Sequence, residues 1–423
     1  MNPSVSRALE RMALLLEEQV QRLEGLGGQV EAVDFSKVKP LVVGVIPGDG
    51  IGPGIAREAT RVLRRILQAE ILEGKVELRT IDGLTIENRL RHGTAIPPSV
   101  LEAVRECHVV LKGPTTTPDR GGSLPDLESA NVAMRRELDL FVNVRPVRVP
   151  SRDLDWTFFR ENTEGPYPLG SRGIQVTPEL AVDLSVATAH GSRRVIRMAF
   201  EHARARGIGR VTGVAMPNVI KATDGLFMQI GEEVAAEFPG IRWEAWHADI
   251  AAARMADPAK ATGTCVFVLP NLYGDILTEE AAVLQGGVGT VGSANIGLRH
   301  AVFEPIHGSA TRMVQEGRAE YANPSSLLRA AAMMIRHVGM RARADMLDMA
   351  LDIVNHFDRQ VVVTGRPGGA TTRDFTDHLL NTLESNEIAG RWAVLREHAR
   401  RIARKRQKIC DGEMDAFGNL RST

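Results

Sequence analysis

The strongest constraint on the fold is an apolar strand that leads through a glycine-rich loop into a helix. The apolar run Leu41–Ile46 is followed by Pro47-Gly48-Asp49-Gly50-Ile51-Gly52-Pro53 and then by a helical pattern over residues 53–68. The loop is not a dinucleotide-binding fingerprint, because Pro53 stands where the third glycine of G-x-G-x-x-G is required. By itself it predicts a tight turn between a strand and a helix that proline opens.

The same alternation of strand and helix continues along the chain. We predict further strands at 76–81, 109–112, 211–216, 243–248 and 265–269, a helix at 98–105, and helices after the later strands. A loop-rich stretch begins near Val302, and helical patterns then cover 326–356 and 374–383. The alternation predicts an α/β fold with a layered sheet and short connections.

The composition narrows the class of protein. A chain of 423 residues exceeds one typical domain, so we expect two domains or one elaborated unit. Basic and acidic residues both number 52, so the chain has no net charge that would attract a nucleic acid or a membrane. We therefore expect neither as a partner. No apolar run approaches the roughly 18 residues of a membrane span. The scattered cysteines Cys107, Cys265 and Cys410 form no CxxC pair and fit a reducing compartment.

Both ends of the chain extend beyond this pattern. Apolar residues at helical spacing predict an N-terminal helix over residues 4–24, which glycines then end. It is either a packing or oligomerisation helix or a targeting element. Its acidic residues argue against a signal or transit peptide, so we expect a cytoplasmic protein. The tail at 396–408 holds seven Lys or Arg residues, which form a solvated helix face or bind an acidic partner.

A cluster of arginines is the first candidate for chemistry. Arg135, Arg145 and Arg160 lie within one short segment, each beside a predicted strand end. An arginine fork binds carboxylates through two parallel hydrogen bonds, so three of them suit a ligand with several carboxylates. A single arginine would more often form a surface salt bridge.

A set of acids is the second candidate. Asp275 and Glu279 lie four residues apart on one predicted helix face, and Asp249 lies on a separate segment. Such oxygen ligands suit Mg²⁺ or Mn²⁺. The alternative interpretation is that these acids complement the dipole at the start of a helix. A third candidate is the loop 304–310, which contains His307 and Gly308 and can cradle an adenosine group through backbone atoms.

Taken in order, the motifs resemble those of the isocitrate and isopropylmalate dehydrogenases, which are metal-dependent β-decarboxylating enzymes. The resemblance spans about residues 41–385. The matching segments are IPGDGIGPG (46–54), KGPTTTP (112–118), SANVAMRRELDLFVNVRPVR (129–148), RENTEGPY (160–167), NLYGDILTEEAA (271–282), GSANIG (292–297) and EPIHGSA (304–310).

The resemblance implies an isopropylmalate dehydrogenase-like two-domain fold with the substrate in the cleft. The large domain would contain residues 41–140 and 290–423, and the small domain residues 141–289. Residues 1–40 would form the N-terminal helix and its linker. Members of this family are usually homodimers, so we expect a homodimer with shared active sites, in which an arm at about 168–190 forms a clasp.

The resemblance also implies roles for individual residues. Tyr167 would protonate the enolate, and Asp249, Asp275 and Glu279 would bind the metal, with Asp249 serving the partner subunit's site and also a candidate catalytic group. The substrate would contact Thr115, Ser129, Asn131, Arg135, Arg145 and Arg160. The cofactor would contact His307, Gly308, Ser309, Ala310, Arg312 and Asn323.

The sequence departs from the family pattern at four points. Met216 occupies the position of the family's catalytic lysine, and a thioether can neither accept a proton nor carry charge. Glu279 replaces the usual aspartate. The segment 118–129 is longer than usual and has Glu128 where the family has a basic residue. Arg312 stands where NADP-dependent members have lysine, so we expect NADP with NAD as the alternative, although Met313 replaces the usual aromatic.

The implied activity is NAD(P)- and Mg²⁺- or Mn²⁺-dependent oxidative decarboxylation of isocitrate or a close 2-hydroxy di- or tricarboxylate. Ser129 and Asn131 favour isocitrate over isopropylmalate, which remains an alternative substrate within the family. A second alternative is a regulatory member that binds substrate or cofactor without efficient turnover, because Met216 replaces the lysine.

Overall fold

One long mixed sheet organises the chain. The computed structural model describes residues 2–26, 32–118, 121–122, 124–257, 260–358 and 360–410. Their strands are β1 (Leu41–Ile46), β2 (Val76–Thr80), β3 (Val109–Lys112), β4 (Val142–Val149), β5 (Leu154–Glu161), β6 (Ile174–Thr177), β7 (Leu180–Val182), β8 (Arg210–Ala215), β9 (Arg242–His247), β10 (Gly263–Leu269), β11 (Gly292–Ile296) and β12 (Ala301–Pro305). The sheet order is β2-β1-β3-β12-β11-β4-β5-β10-β8-β9, and β6 and β7 form a separate hairpin.

The sheet has two parallel ends joined by antiparallel strands. Strands β2, β1, β3 and β12 run parallel to one another, as do β5, β10, β8 and β9. Strands β11 and β4 join the two groups through antiparallel pairings. The carboxyl ends of the two groups therefore point in opposite directions, and the central strands form the crossing between them.

Helices cover the sheet. They are α1 (Pro3–Leu26), α2 (Gly52–Ile66), α3 (Gln68–Leu72), α4 (Ile86–His92), α5 (Pro98–Arg105), α6 (Ala130–Glu137), α7 (Tyr167–Gly170), α8 (Ala189–Ala205), α9 (Thr223–Ala235), α10 (Ala248–Ala256), α11 (Asn271–Gln285), α12 (Thr311–Gln315), α13 (Ser325–His337), α14 (Arg341–Asp352), α15 (Thr372–Leu383) and α16 (Ile388–Cys410). A π-helical turn, Ile353–Asp358, follows α14.

Local sequence signals explain several helix boundaries. Thr188 accepts the backbone N–H of Gly191 and so caps α8. Thr371 and Asp374 form a reciprocal capping box at the start of α15. Apolar faces of these helices pack on the sheet, and β1 and β3 are buried along their whole length, as continuous apolar strands covered on both faces should be.

The α/β fold predicted from the sequence is confirmed. Strands β1 and β3 and helix α5 have the predicted boundaries, and the other predicted strands differ by one or two residues. One prediction was wrong. The pattern over 326–356 is not continuous, because Gly339 at φ 89° separates α13 from α14. The loop-rich stretch predicted from about Val302 begins after β12, which forms an unpredicted hairpin with β11.

The predicted N-terminal helix is α1, which packs beside the β6–β7 hairpin. Leu15, Leu169 and Ile174 form a small buried cluster between them. Within the described residues, no helix is long and apolar enough to cross a membrane. Cys107 and Cys265 are free and buried. The basic tail at 396–408 lies in α16, whereas residues 27–31 of the linker and residues 411–423 lie outside the described residues.

Candidate active site

A row of buried polar side chains crosses the central strands. Lys112 at the end of β3 forms a 3.0 Å ion pair with Glu304 of β12, and Asn295 of β11 donates to the same carboxylate at 2.8 Å. Asn143 of β4 donates to Asn295 Oδ1 at 2.8 Å, and Arg145 donates to Asn143 Oδ1 at 2.6 Å. All five side chains are almost fully buried. Burying a charged group costs free energy unless it is paired, and each charged side chain of this row has a partner. The row therefore forms an ordered polar site.

The predicted arginines Arg145 and Arg160 converge on the predicted metal ligand Asp275. Arg160 lies opposite Asn143 in the register of β4 and β5, which places it on the same face as Arg145. Arg145 Nη2 lies 3.1 Å from Asp275 Oδ1, and Arg160 Nη1 donates to the same oxygen. Arg160 also donates two hydrogen bonds to Asn271 Oδ1, at 2.6 and 3.0 Å. The helix α11 thus fixes both guanidinium groups.

Arg135 contacts the site from α6 and has the fewest protein partners of the three. Its Nη2 lies 3.6 Å from Glu304 Oε1. Its Nε is buried and has no hydrogen-bond partner. Burial lowers the pKa of Arg135. A buried donor without a protein acceptor is available to donate to a ligand oxygen.

Tyr167, at the first residue of α7, lies beside these groups. Its hydroxyl donates to Asp275 Oδ2 at 3.0 Å, and the Arg160 guanidinium lies 5.4 Å from the centre of its ring. Burial and the neighbouring Asp275 raise the pKa of Tyr167. The phenol therefore stays protonated near neutral pH and can act as a proton donor.

The charges at the site do not balance. Burial and the neighbouring arginines Arg145 and Arg135 lower the pKa of Arg160 to about 9. Burial alone would raise the pKa of Glu304, but Lys112 and Arg135 hold it at about 2. The four cations Lys112, Arg135, Arg145 and Arg160 thus face the two carboxylates Glu304 and Asp275. This excess of buried positive charge favours a ligand with several negative charges.

The predicted residues Thr115, Ser129 and Asn131 lie in the connection after β3 and at the start of α6, the helix that carries Arg135. Thr115 donates to Asn131 Oδ1 at 3.1 Å, and Ser129 directly precedes α6 without capping it. Arg89, which is fully buried, donates to the carbonyl oxygens of Thr116 and Glu128 at 2.6 and 2.8 Å, near the two ends of this connection. Sequence reasoning missed this role of Arg89.

Three predicted motifs meet at the carboxyl ends of β1, β3 and β12. The Ile51 N–H donates to the Ser309 carbonyl at 3.0 Å, and the Thr116 and Ser309 hydroxyls lie 2.7 Å apart. Asp49 accepts the Thr116 N–H at 2.7 Å. A Cβ on Gly50 would lie 2.0 Å from the Ser309 carbonyl oxygen, so only glycine fits. Ligands of open α/β sheets bind at such strand ends.

The other predicted cofactor residues line the same loop. His307 Nδ1 lies 2.9 Å from the Gly308 carbonyl, and burial lowers the pKa of this imidazole. Ala310 has a left-handed backbone with φ 49°, and Asn323 caps the start of α13 by accepting the Ser325 N–H at 2.9 Å. Arg312 on α12 is exposed over 87% of its side chain and donates to Glu316 at 2.7 Å. These residues offer backbone groups and an exposed cation to a nucleotide.

The three predicted metal acids do not meet within one chain. Asp275 and the exposed Glu279 are one turn apart on α11, but Asp249 is exposed at the start of α10, after β9. Strand β10, which leads into α11, and strand β9, which leads into α10, are separated by β8 in the sheet. Within the part of the chain that the structure describes, no group of three His, Cys, Asp or Glu side chains could hold a metal. The donors suit a hard divalent cation, but one chain supplies only two of them.

Met216 lies at the same sheet edge as Asp249. Ala215 pairs with His247 in the register of β8 and β9, so Met216 and Asp249 both follow the last paired residues. The Met216 N–H donates to Asp224 at 2.8 Å, which fixes the backbone of this turn. The loop continues through Val219 and Ile220, which are 69% and 42% exposed, to the exposed Lys221. This edge is open, whereas the arginine cluster is buried.

Sequence reasoning missed four members of the buried row: Lys112, Asn143, Asn295 and Glu304. A signal was present in the strands. A single charge ends the apolar run of β3, and Asn143 and Arg145 alternate with valines in β4. Such period-two polar residues in a strand buried on both faces indicate a polar site between sheet and cover.

Comparisons with known proteins agree with this geometry. The family model described as isocitrate/isopropylmalate dehydrogenase matches residues 42–379. The chain is 36% identical to a 3-isopropylmalate dehydrogenase of Methanothermobacter thermautotrophicus over 321 residues, covering 74% of this chain and 90% of the relative. It is 34% identical to isocitrate dehydrogenase [NAD] subunit 2, mitochondrial, of Schizosaccharomyces pombe, covering 89% and 97%.

The fold is also found among solved structures. The crystal structure of isocitrate dehydrogenase from Methylococcus capsulatus superposes with a TM-score of 0.71 and 32% identity, covering 81% of this chain and 99% of that one. The predicted resemblance is thereby confirmed, and the chain belongs to the isocitrate/isopropylmalate dehydrogenase family of decarboxylating dehydrogenases.

Proposed function

We propose that the protein catalyses the metal-dependent oxidative decarboxylation of isocitrate, or of a close 2-hydroxy di- or tricarboxylate, with NADP. The observation that carries this proposal is the excess of buried positive charge around Arg135, Arg145 and Arg160. A substrate with two or three carboxylates would balance it. The buried Nε of Arg135 would find its acceptor in one of those carboxylates.

Ser129 and Asn131 support isocitrate over isopropylmalate. Both lie at the start of α6, the helix that carries Arg135, and Asn131 is held by Thr115 through its amide oxygen. Its amide N–H₂ can then donate to the distal carboxylate that isocitrate has and isopropylmalate lacks. An apolar wall here would instead favour the isopropyl group.

NADP is the proposed cofactor. Its fit rests on the loop 306–310 at the strand ends and on Arg312, an exposed cation that can pair with the 2′-phosphate. When bound, the cofactor accepts the hydride from the substrate. The Schizosaccharomyces pombe relative is named as NAD-dependent, so NAD is the alternative and the choice of NADP rests on Arg312.

The proposed divalent cation, Mg²⁺ or Mn²⁺, would be held by Asp275 and Glu279 of one subunit and by Asp249 of a second copy. When bound, it supplies Lewis-acid polarisation of the substrate oxygens. A homodimer would bring the three acids together. Apolar side chains exposed on α10, α11 and the loop after β8 support such an interface: Val219, Ile220, Ile250, Ile276 and Val283.

The chain's own residues account for the remaining steps. The three arginines hold the substrate carboxylates and so orient the 2-hydroxyl carbon. That carbon loses its hydride to the cofactor and its hydroxyl loses a proton. The oxidised carbon is then a ketone. The bond between the adjacent carbon and the carboxylate on that carbon breaks, CO₂ leaves, and the electron pair of the broken bond forms an enolate. Tyr167 donates its phenol proton to the enolate carbon, which its raised pKa allows.

Proton removal from the hydroxyl is the step for which this chain is least equipped. Met216 cannot accept a proton, and Lys221 lies five residues further along an exposed loop. The Asp249 carboxylate, at the same edge as Met216, is the proposed acceptor. We therefore expect slow turnover.

A second candidate function follows from Met216 alone. A chain that binds substrate through its arginines but turns it over inefficiently would be a regulatory member of the family. Tyr167 and the retained acids favour the active enzyme, since a binding subunit needs neither.

An absorbance screen tests the proposal. The pure protein with Mn²⁺ is given isocitrate, isopropylmalate and other 2-hydroxy acids, each with NADP and with NAD. We expect reduced cofactor to form fastest with isocitrate and NADP. Binding of isocitrate without cofactor reduction under any condition would favour the regulatory function.

A further inference from the structure

Helix α1 packs against the segment that follows Tyr167. This helix precedes the residues that match the family model. Leu15 of α1 is 2% exposed and packs with Leu169 and Ile174. Glu18 accepts a hydrogen bond from Arg172 at 2.8 Å. Apolar and ionic contacts therefore tie α1 to the chain within a few residues of the tyrosine.

The end of α1 reaches the segment on the other side of Tyr167. Arg22 Nη2 lies 2.9 Å from Glu164 Oε1, and Arg22 Nη1 lies 3.5 Å from the Thr163 carbonyl oxygen. The Glu164 side chain is only 3% exposed. Among the described residues, the other hydrogen-bond donors to its carboxylate are the hydroxyl and N–H of Thr188. Arg22 is thus the cation that compensates a buried carboxylate, and its loss would leave that charge with neutral donors.

Glu164 is linked to the substrate arginines through Asn271. The Glu164 carbonyl accepts from Asn271 Nδ2 at 2.8 Å, and Asn271 Oδ1 accepts two hydrogen bonds from Arg160. Gly165 follows with φ 80°, and a Cβ there would lie 3.1 Å from Asn271. The backbone at 164–165 is therefore packed directly on the residue that orients Arg160.

We propose that Arg22 is a positioning residue for the active site: through Glu164 and Asn271 it holds Arg160 and the Tyr167 segment in place for substrate. The N-terminal helix α1 then contributes directly to the activity of the enzyme. This inference rests on the proposed dehydrogenase function. It differs from a general packing role for α1, because it assigns the effect to one charge.

The test compares Arg22→Ala and Arg22→Lys with the control Arg11→Ala, which removes an exposed arginine from the same helix. Initial rates with isocitrate, NADP and Mn²⁺ give kcat and KM, and hydrogen exchange reports on the amides of residues 163–174. We expect Arg22→Ala to lower kcat/KM for isocitrate about tenfold, the size of one charge-assisted hydrogen bond. The KM for NADP should not change, and exchange at 163–174 should accelerate.

Arg22→Lys should restore most of both losses, and Arg11→Ala should match the wild type. The inference is overturned if Arg22→Ala behaves like Arg11→Ala, or if lysine does not rescue it. If Arg22→Ala does not fold, Arg22→Gln replaces it in the test, because glutamine removes the charge but keeps a hydrogen-bond donor. If the wild type has no turnover, the proposed function fails, and exchange at 163–174 together with isocitrate affinity by calorimetry decides the role of Arg22.

Discussion

The arginine cluster and the edge that carries Met216 would serve two halves of the proposed reaction, and they are built differently. Arg145 and Arg160 are buried on the central strands, and each hydrogen-bonds to at least two protein side chains. Met216 and Asp249 lie at an open sheet edge beside exposed apolar residues. Under the proposed function, one chain supplies all three arginines of the half that would bind carboxylates. The half that would move the hydroxyl proton would need Asp249 of a second copy, and it has Met216 at the position of the family's lysine.

The largest expected effect is that of substituting Asp275. Its carboxylate contacts Arg145, Arg160 and Tyr167. Asp275→Asn should abolish metal-dependent turnover, because polarisation by a metal is worth several kcal/mol. Initial rates across a Mn²⁺ titration measure this loss. The control Glu201→Gln removes an exposed acid from α8 and should keep the wild-type rate. Full wild-type activity in excess chelator would contradict the metal requirement.

A proton acceptor at position 216 should accelerate the removal of the proton from the substrate hydroxyl. General base catalysis contributes about 10²–10⁴-fold, and Met216→Lys should recover part of this factor in kcat. Pro217 restricts the backbone beside the new lysine, so Met216→Lys/Pro217→Gly is the fairer variant, with Pro217→Gly alone as its control. A wild type that already turns over at about 1–10³ s⁻¹ and slows on Met216→Lys would reopen the substrate assignment.

A substitution at Arg135 tests the arginine cluster without disturbing the fold, because the closest charged contact of Arg135 is Glu304 at 3.6 Å. Arg135→Lys keeps the charge but loses the guanidinium fork. It should lower kcat/KM for isocitrate by about 10–100-fold, the range of one hydrogen bond to a charged group. Arg136→Lys, at the neighbouring exposed position, is the control. Equal effects of the two substitutions would count against a substrate role for Arg135.

A smaller effect is expected outside both halves, at Arg312. Arg312→Asp should shift the preference from NADP toward NAD by about tenfold, because an exposed charge-assisted contact is lost and a repulsion is gained. The ratio of kcat/KM for the two cofactors measures it. Arg373→Asp is a matched control, since Arg373 is 78% exposed and also pairs with an acid four residues later. If the wild type already uses NAD better, the reading of Arg312 is wrong.

The smallest expected effect is that of pH. It changes the stability of the fold rather than the arginine cluster or the edge that carries Met216. Burial lowers the pKa of His202 and His337 from 6.5 to about 4. The unfolded chain therefore binds more protons between pH 6.5 and 4, and stability should fall by a few kcal/mol across that window.

Glu161 has the opposite sign. Burial and Glu164 raise its pKa to about 7, so it stabilises the fold as pH falls from 7 toward 4.5. Two histidines should outweigh this one carboxyl. Thermal unfolding curves of the wild type and His337→Phe check this, and the variant should lose less stability in acid. A melting temperature that rises as pH falls from 6.5 to 4 would contradict it.

The sequence predicted the parts of the molecule whose signal is local. The apolar strands β1 and β3, the glycine loop between β1 and α2, and the cluster of arginines were all readable from neighbouring residues. The hairpin of β11 and β12 was missed, because Ser293 and Asn295 face the polar site and interrupt the apolar pattern that identifies a buried strand. The pairing of Lys112 with Glu304 joins residues 192 positions apart, and only the sheet order brings them together.

The most direct test of the central claim follows both products of one reaction. Isocitrate labelled at the carboxylate that leaves is incubated with the wild-type protein, NADP and Mn²⁺, and released CO₂ and NADPH are measured together. The proposed function predicts slow formation of the two products in a one-to-one ratio, which a chelator stops. If isocitrate binds but neither product forms, the protein is a binding member of the family and the proposed activity is wrong.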